Sequence, residues 1–196
     1  YAIASNIYLG LRGGELIALK WEDVDFENDT ITVNKKIIEI VNRDYDESNP
    51  ELMKKKGVKK TTYLLDDSTK TNQNRFVPIN SKAKELLLAH KENCNFTNPD
   101  NFVISTRTQN QTTIKHLSET IRRIEENAET KVQTYGSHVL RHTCASLYFR
   151  KGVPVEVIAS ILGHSVDVCR ETYIHLIEEQ KKMAASKIAT TIKIEL

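Results

Sequence analysis

The hydrophobic period of this chain changes twice, and the two changes divide it into parts with different backbones. At the start, apolar residues recur at helical spacing. Ile3, Ile7 and Leu11 form one stripe, Gly10 interrupts it, and Gly13-Gly14 precede a second short helical run over 15–19. Arg12 falls in the tight turn between the two. From Trp21 the period is two: Val24 and Phe26, the turn Glu27-Asn28-Asp29, then Ile31, Val33 and a β-branched run through Val41 read as a hairpin. Residues 61–65 and 75–79 read as further short strands, the last ended by proline. The turn formers between them place Lys70 at or near a hairpin tip.

After Ile79 the pattern is helical again nearly to the end. Asn80 or Ser81 caps a helix reaching about His90, 102–104 is a short extended piece, and 112–128 is amphipathic. Ser137 caps a helix over 138–150 closed by Gly152, and Pro154 opens another that Gly163 ends. A third runs over 167–176, and 178–188 is a lysine- and alanine-rich amphipathic helix leading into a thin tail. The expectation is an α+β fold, mostly α-helical, with a small three-stranded antiparallel sheet in the N-terminal half.

Composition narrows the function classes. A length of 196 residues suits one domain, and 28 basic against 26 acidic side chains leave a net charge of only +2. Nothing approaches eighteen consecutive apolar residues and the N-terminus lacks the features of a signal peptide, so a cytoplasmic location without membrane contact is expected. The chain opens without methionine and without a helix cap, and reads as a piece of a longer protein. Cys94, Cys144 and Cys169 form no short metal-ligand pair and no disulfide framework. The polar stretch 42–60 carries the lysine-rich run Met53-Lys54-Lys55-Lys56-Gly57-Val58-Lys59-Lys60. It reads as a solvated loop, with a DNA-backbone contact surface as the alternative.

The residues able to carry chemistry are weak singly and stronger together. Arg12 stands beside glycines that permit close approach to an anion, and Glu15, three residues on, is placed to orient it. His138, Arg141 and His142 share one helix face by their offsets of three and four. His138 and His142 have the spacing of a zinc-binding pair, but an arginine between them fits an oxyanion better. His164 follows a helix end, and Tyr173 lies nine residues later. Two arginines, a lysine, two histidines and a tyrosine are the groups required to attack a phosphodiester with no metal or cofactor.

The segments LGLRGGELIALKWEDVDF, STKTNQNRFVPI, SHVLRHTCASLYFRKGVPVEVIASILGHS and ETYIHL resemble, in this order, the catalytic domain of tyrosine recombinases, in particular integrases of phages and conjugative transposons. The resemblance covers 1–176 and implies the DNA breaking-rejoining fold, with N-terminal DNA-binding domains missing from this chain. It implies that Arg12 and Arg141 bind the phosphate, Lys70 is the general acid, and His138 is a general acid/base. It further implies that His164 donates to the phosphate and Tyr173 is the nucleophile. Residues 42–66 make the sheet region longer than in the shortest members, and Lys59 and Lys60 are poorer candidates for the acid because the Lys-Thr-turn-Arg-x-x-Pro context belongs to Lys70. Implied partners are double-stranded DNA, a homotetramer on DNA from a monomer without it, and accessory DNA-bending or directionality proteins. Residues 177–196 are expected to dock on a neighbouring subunit or to pack on their own domain. Alternatives are a type IB topoisomerase-like enzyme resealing one strand, a catalytically silent DNA-binding regulator, and a zinc hydrolase.

Overall fold

The computed structural model describes residues 1–67, 74–94, 100–106, 111–129, 136–174, 176–178 and 181–182. Lys70 and its turn, and most of the 178–188 helix and the tail, lie outside the described residues.

Helix α1 (Ala2–Leu9) stops at Gly10, whose left-handed φ of 66° lets its N–H close on the Asn6 carbonyl at 3.0 Å. A Cβ at Gly10 would stand 2.7 Å from Leu162 Cδ2, so the position needs glycine for packing as well as for φ. Beyond it the fully buried Asn6 side chain donates to the Leu11 carbonyl at 3.0 Å and accepts from its N–H at 2.8 Å, fixing the path of the chain into Arg12. Helix α2 (Gly13–Ala18) begins there, with Glu15 accepting the Arg12 N–H.

A single 3₁₀ turn (Trp21–Asp23) leads to β1 (Val24–Asp25) and β2 (Thr30–Val33), joined by a turn in which Asp25 accepts from the N–H groups of Glu27 and Asn28. β5 (Arg75–Pro78) lies antiparallel on the other side of β2, with Ile31 opposite Val77 and Val33 opposite Arg75, so the three-stranded sheet has the order β1-β2-β5. The β-branched run to Val41 does not continue this hairpin. Lys35 puts its ammonium 2.8 Å from Asp23, and the chain leaves the sheet there. It forms β3 (Lys36–Val41), paired with β4 (Thr61–Asp66) in a separate two-stranded sheet. β3 lies on α2 so closely that a Cβ at Gly14 would meet the Ile37 carbonyl at 2.6 Å. The expected loop 42–60 contains a helical turn and a half, α3 (Pro50–Lys55), because Met53 is buried and pins it; Lys54, Lys55, Lys56, Lys59 and Lys60 stay exposed.

The helical body follows. Asn80 caps α4 (Ser81–Asn93), which packs on α1, and Thr113 caps α5 (Ile114–Glu126), which buries Leu117 and Ile121 one turn apart. Gly136, with φ of 71°, occupies the cap position expected of Ser137, and Ser137 is the first residue of α6 (Ser137–Arg150). α7 (Val155–Leu162) starts after Pro154 and ends in left-handed Gly163, and Ser165 caps α8 (Val166–Thr172). α8 is shorter than expected: Tyr173 stands at its C-terminal cap, not inside the helix.

Two apolar clusters result. The larger joins α1, α2, α4 and α5 to the sheets through Leu9, Leu16, Ile17, Ile31, Ile37, Val77 and Leu87. The smaller joins α6, α7 and α8 through Ala145, Phe149, Ile158, Leu162, Cys169 and Tyr173. Truncating a side chain as buried as Phe149 to Ala costs about 3–5 kcal/mol in such a core. Among the described residues no helix is long and apolar enough to cross a membrane.

Candidate active site

The last carbonyls of a helix have no partner within it. At the end of α7, three arginines distant in sequence take three successive ones. Arg75 Nε donates to the Ile161 carbonyl at 2.7 Å, an Arg141 terminal nitrogen donates to that of Leu162, and an Arg12 terminal nitrogen donates to that of Gly163 at 2.7 Å. The negative end of the helix dipole thus sits among three guanidinium groups. The other Arg141 terminal nitrogen donates to the Gly10 carbonyl at 2.6 Å, so the end of α1 is tied to the same point.

Glu15 balances this charge. It accepts from Arg12 at 3.0 Å and from both Arg75 terminal nitrogens at 3.0 and 2.8 Å. Burial alone would raise its carboxyl, but the hydrogen bonds and charge of Arg75, with those of Arg12, outweigh it and hold it at about 2. Arg141 is only 4% exposed; burial, then repulsion from Arg12, lowers it to about 10, which leaves it charged at neutral pH. Arg12 is the accessible member, its side chain 41% exposed. Both arginines keep unused N–H donors for an incoming oxyanion.

His164 follows directly on the α7 end and its Nε2 lies 2.9 Å from an Arg141 terminal nitrogen. Arginine only donates, so this nitrogen accepts and the ring proton sits on Nδ1. Nδ1 is buried and has no partner among the described residues. Burial, then the charges of Arg141, Arg12 and Arg75, pushes the imidazole down to about 4, and it is neutral at pH 7.

Tyr173 is 2% exposed, its ring 5.4 Å from that of Phe149, and burial raises its hydroxyl to about 12. The hydroxyl reaches His142 Nδ1 at 3.1 Å, with the two rings edge to face. Burial, then the neighbouring His138 and Arg141, lowers the His142 pKa. His138 is exposed one turn earlier on the same helix, and no hydrogen bond joins it to a described residue.

Of the residues singled out from sequence, Arg12, Arg141 and His164 meet at the α7 end, and Tyr173 is tethered through His142 to the helix that bears Arg141. Lys70 lies outside the described residues. No group of three histidine, cysteine, aspartate or glutamate side chains placed to hold a metal occurs among the described residues. The structure adds two residues to those singled out above. Arg75 enters through Glu15, sixty residues away and beyond any local periodicity. His142, which shares a helix face with His138 and Arg141 and has the spacing of a zinc ligand, meets the Tyr173 hydroxyl instead.

This arrangement offers fixed positive charge, neutral imidazoles and a hydroxyl, the components for phosphoryl transfer to tyrosine. A profile described as the phage integrase family matches residues 5–180. The chain is 28% identical over 191 residues to a tyrosine recombinase XerC-like protein of Caldanaerobacter subterraneus subsp. tengcongensis, covering 91% of this chain and 46% of that one. It is 27% identical over 169 residues to tyrosine recombinase XerH of Campylobacter jejuni, covering 84% of this chain and 47% of that one. The chain therefore spans about half the length of these relatives. Its fold matches a structure of the Tn1549 transposon integrase in complex with transposon right end DNA, with a TM-score of 0.68 at 20% identity over 93% of this chain and 58% of that one. It also matches the crystal structure of XerA recombinase, with a TM-score of 0.64 at 22% identity over 94% and 57%.

Proposed function

Because the chain belongs to the phage integrase family, we propose that it is the catalytic region of a site-specific DNA recombinase, the integrase of a mobile element acting on double-stranded DNA in the bacterial cytoplasm. The observation that supports this most is the convergence at the α7 end: Arg12 and Arg141 fixed on successive carbonyls, His164 on Arg141, and Tyr173 joined to the same helix as Arg141.

In the proposed reaction Tyr173 Oη attacks a backbone phosphorus and the bond to the 5′ oxygen breaks. Arg12 and Arg141 use their remaining N–H groups to balance the charge on the non-bridging oxygens, and being already fixed they need no reorganisation as that charge develops. His164 donates a further hydrogen bond once a phosphate oxygen takes its place on Arg141 and its ring proton moves from Nδ1 to Nε2, His138 is a general acid/base, and Lys70 protonates the departing 5′ oxygen. The 3′-phosphotyrosyl bond conserves the energy of the broken linkage, so rejoining to the 5′-hydroxyl of a partner strand needs no ATP and no metal. The exposed lysines 54–56, 59 and 60 add positive charge for a phosphate backbone. The chain is proposed to assemble as a tetramer on DNA from a monomer without it, with residues 177–196 docking on a neighbour and accessory DNA-bending or directionality proteins assisting.

The test is strand transfer. A pool of nicked duplexes of randomised sequence is incubated with the protein, covalently bound species are recovered, and these serve as substrate with a labelled partner duplex bearing a free 5′-hydroxyl. Joining of donor strand to partner strand is the expected result. Resealing of the original strand alone would place the protein with topoisomerase-like enzymes, and tight binding without cleavage would make it a regulator.

A further inference from the structure

A tyrosine hydroxyl held near 12 by burial supplies almost no phenolate at neutral pH, so a nucleophile in this position needs an acceptor for its proton at the hydroxyl itself. From the position of Tyr173 against α6 we infer that His142 is that acceptor: its Nδ1, 3.1 Å from the Tyr173 hydroxyl, takes the proton as Oη attacks phosphorus. This rests on the assignment of Tyr173 as the nucleophile.

Three features of the structure carry the inference. The first is contact: among the described residues the hydrogen-bond partner of the Tyr173 hydroxyl is His142, at a distance suited to direct transfer. The second is orientation. The rings are 5.6 Å apart at 64°, edge to face, with Nδ1 toward the phenol, and Phe149 packs on the tyrosine ring at 5.4 Å. The third is the protonation state: burial, with the charge of His138 and Arg141 on its own helix, favours the neutral ring, and a neutral ring with its hydrogen on Nε2 presents a lone pair at Nδ1. Tyr173 is the titratable group that meets it from the neighbouring element. His138, one turn away, makes no such contact with Tyr173, so in the attack step the acid/base role proposed above for His138 falls to His142.

The Oη–H bond breaks and its proton passes to Nδ1; the Oη–P bond forms; the P–O5′ bond breaks and its electron pair leaves on the 5′ oxygen, which Lys70 protonates. On rejoining, the partner 5′-hydroxyl attacks phosphorus and the proton on His142 returns to Oη. His142 next to Arg141 in sequence keeps the acceptor on the helix that holds the phosphate-binding arginine, so attack and charge balance are coupled through one rigid element.

The test uses this chain and the recovered cleavable duplex described above, in single-turnover adduct formation at saturating protein. His142→Ala is expected to slow adduct formation by on the order of 10²–10⁴-fold with DNA binding retained, and added imidazole is expected to restore part of the rate to this variant but not to Tyr173→Phe. His142→Gln, which keeps a hydrogen-bonding side chain without a titratable nitrogen, is expected to be as slow as His142→Ala. A His142→Gln variant at wild-type rate, or a His142→Ala variant with no defect, overturns the inference. Independently of turnover, ¹⁵N NMR of the free protein is expected to find His142 Nδ1 unprotonated and its resonance altered in Tyr173→Phe; a proton on Nδ1 at neutral pH overturns the inference even where variants misfold. Failure of the wild-type protein to form any adduct would instead refute the nucleophile assignment itself.

Discussion

Glu15 accepts both terminal nitrogens of Arg75, at 3.0 and 2.8 Å, across sixty residues of chain. The forked pair joins the first turn of α2 to β5, and through Arg75 Nε to the Ile161 carbonyl it reaches the end of α7 as well. Arg12 leans on the same carboxylate. A single acid therefore sets the positions of two guanidinium groups before any phosphate arrives.

Glu15→Gln keeps the shape and removes the charge. It leaves Arg75 with its side chain 14% exposed beside an uncharged partner, and the expected loss is roughly 2–4 kcal/mol of folding free energy, read by urea denaturation at neutral pH. Cleavage should fall as well, because Arg12 loses its anchor. A variant as stable as wild type would show that the pair is geometrically close but energetically idle.

Acid should act through two groups in sequence. His164 is held at about 4 against an ordinary 6.5, so as pH falls from 6.5 to 4 the unfolded chain gains a proton that the folded site refuses, and stability declines. Glu15 is held at about 2 against 4.5, so its contribution is complete above 4.5 and is lost as pH falls toward 2. Denaturation curves from pH 7 to 3 should show both declines, with the lower one absent in Glu15→Gln. An unchanged lower decline in that variant would assign it to other carboxylates.

Local signals read well from sequence because they depend on local physics. The stop at Gly10, the cap at Asn80 and the end of α7 at Gly163 all follow from side chains and φ preferences within a few residues. The break at Lys35 was hidden because it depends on an ion pair to Asp23 across twelve residues, which no alternation of apolar residues records. Helix α3 was hidden by its lysines, since one buried Met53 decides it. Of the candidate site, Arg12, Arg141, His164 and Tyr173 can be picked out as residue types in order, and the structure brings Arg12, Arg141 and His164 to the α7 end while His138 stays exposed. The three arginines on successive α7 carbonyls, and the grip of His142 on Tyr173, exist only once α1, α6, α7 and β5 meet.

Arg141→Lys is expected to be far from neutral. Lysine cannot span the Gly10 and Leu162 carbonyls and His164 Nε2 at once. Thermal stability should drop and single-turnover cleavage should fall on the order of 10²-fold or more. Cleavage near the wild-type rate would mean that one positive charge suffices without the fork.

Lys70→Ala should be rescued by a 5′-bridging phosphorothiolate, whose thiolate leaves without a proton. Equal defects on oxygen and sulfur substrates would remove Lys70 from the role of acid.

Adduct formation should persist in EDTA, because Arg12, Arg141 and the imidazoles hold the place a metal would take. Complete loss on chelation, restored by zinc, would return His138 and His142 to the role of metal ligands.

The proposed reaction joins Tyr173 covalently to DNA. The most direct measurement is to trap the protein on a nicked suicide duplex, digest the adduct with protease and map the nucleotide-bearing peptide by mass spectrometry. A 3′-phosphoryl nucleotide on Tyr173, absent from Tyr173→Phe, is the predicted result. Attachment at another residue, or an undiminished adduct in Tyr173→Phe, would contradict it.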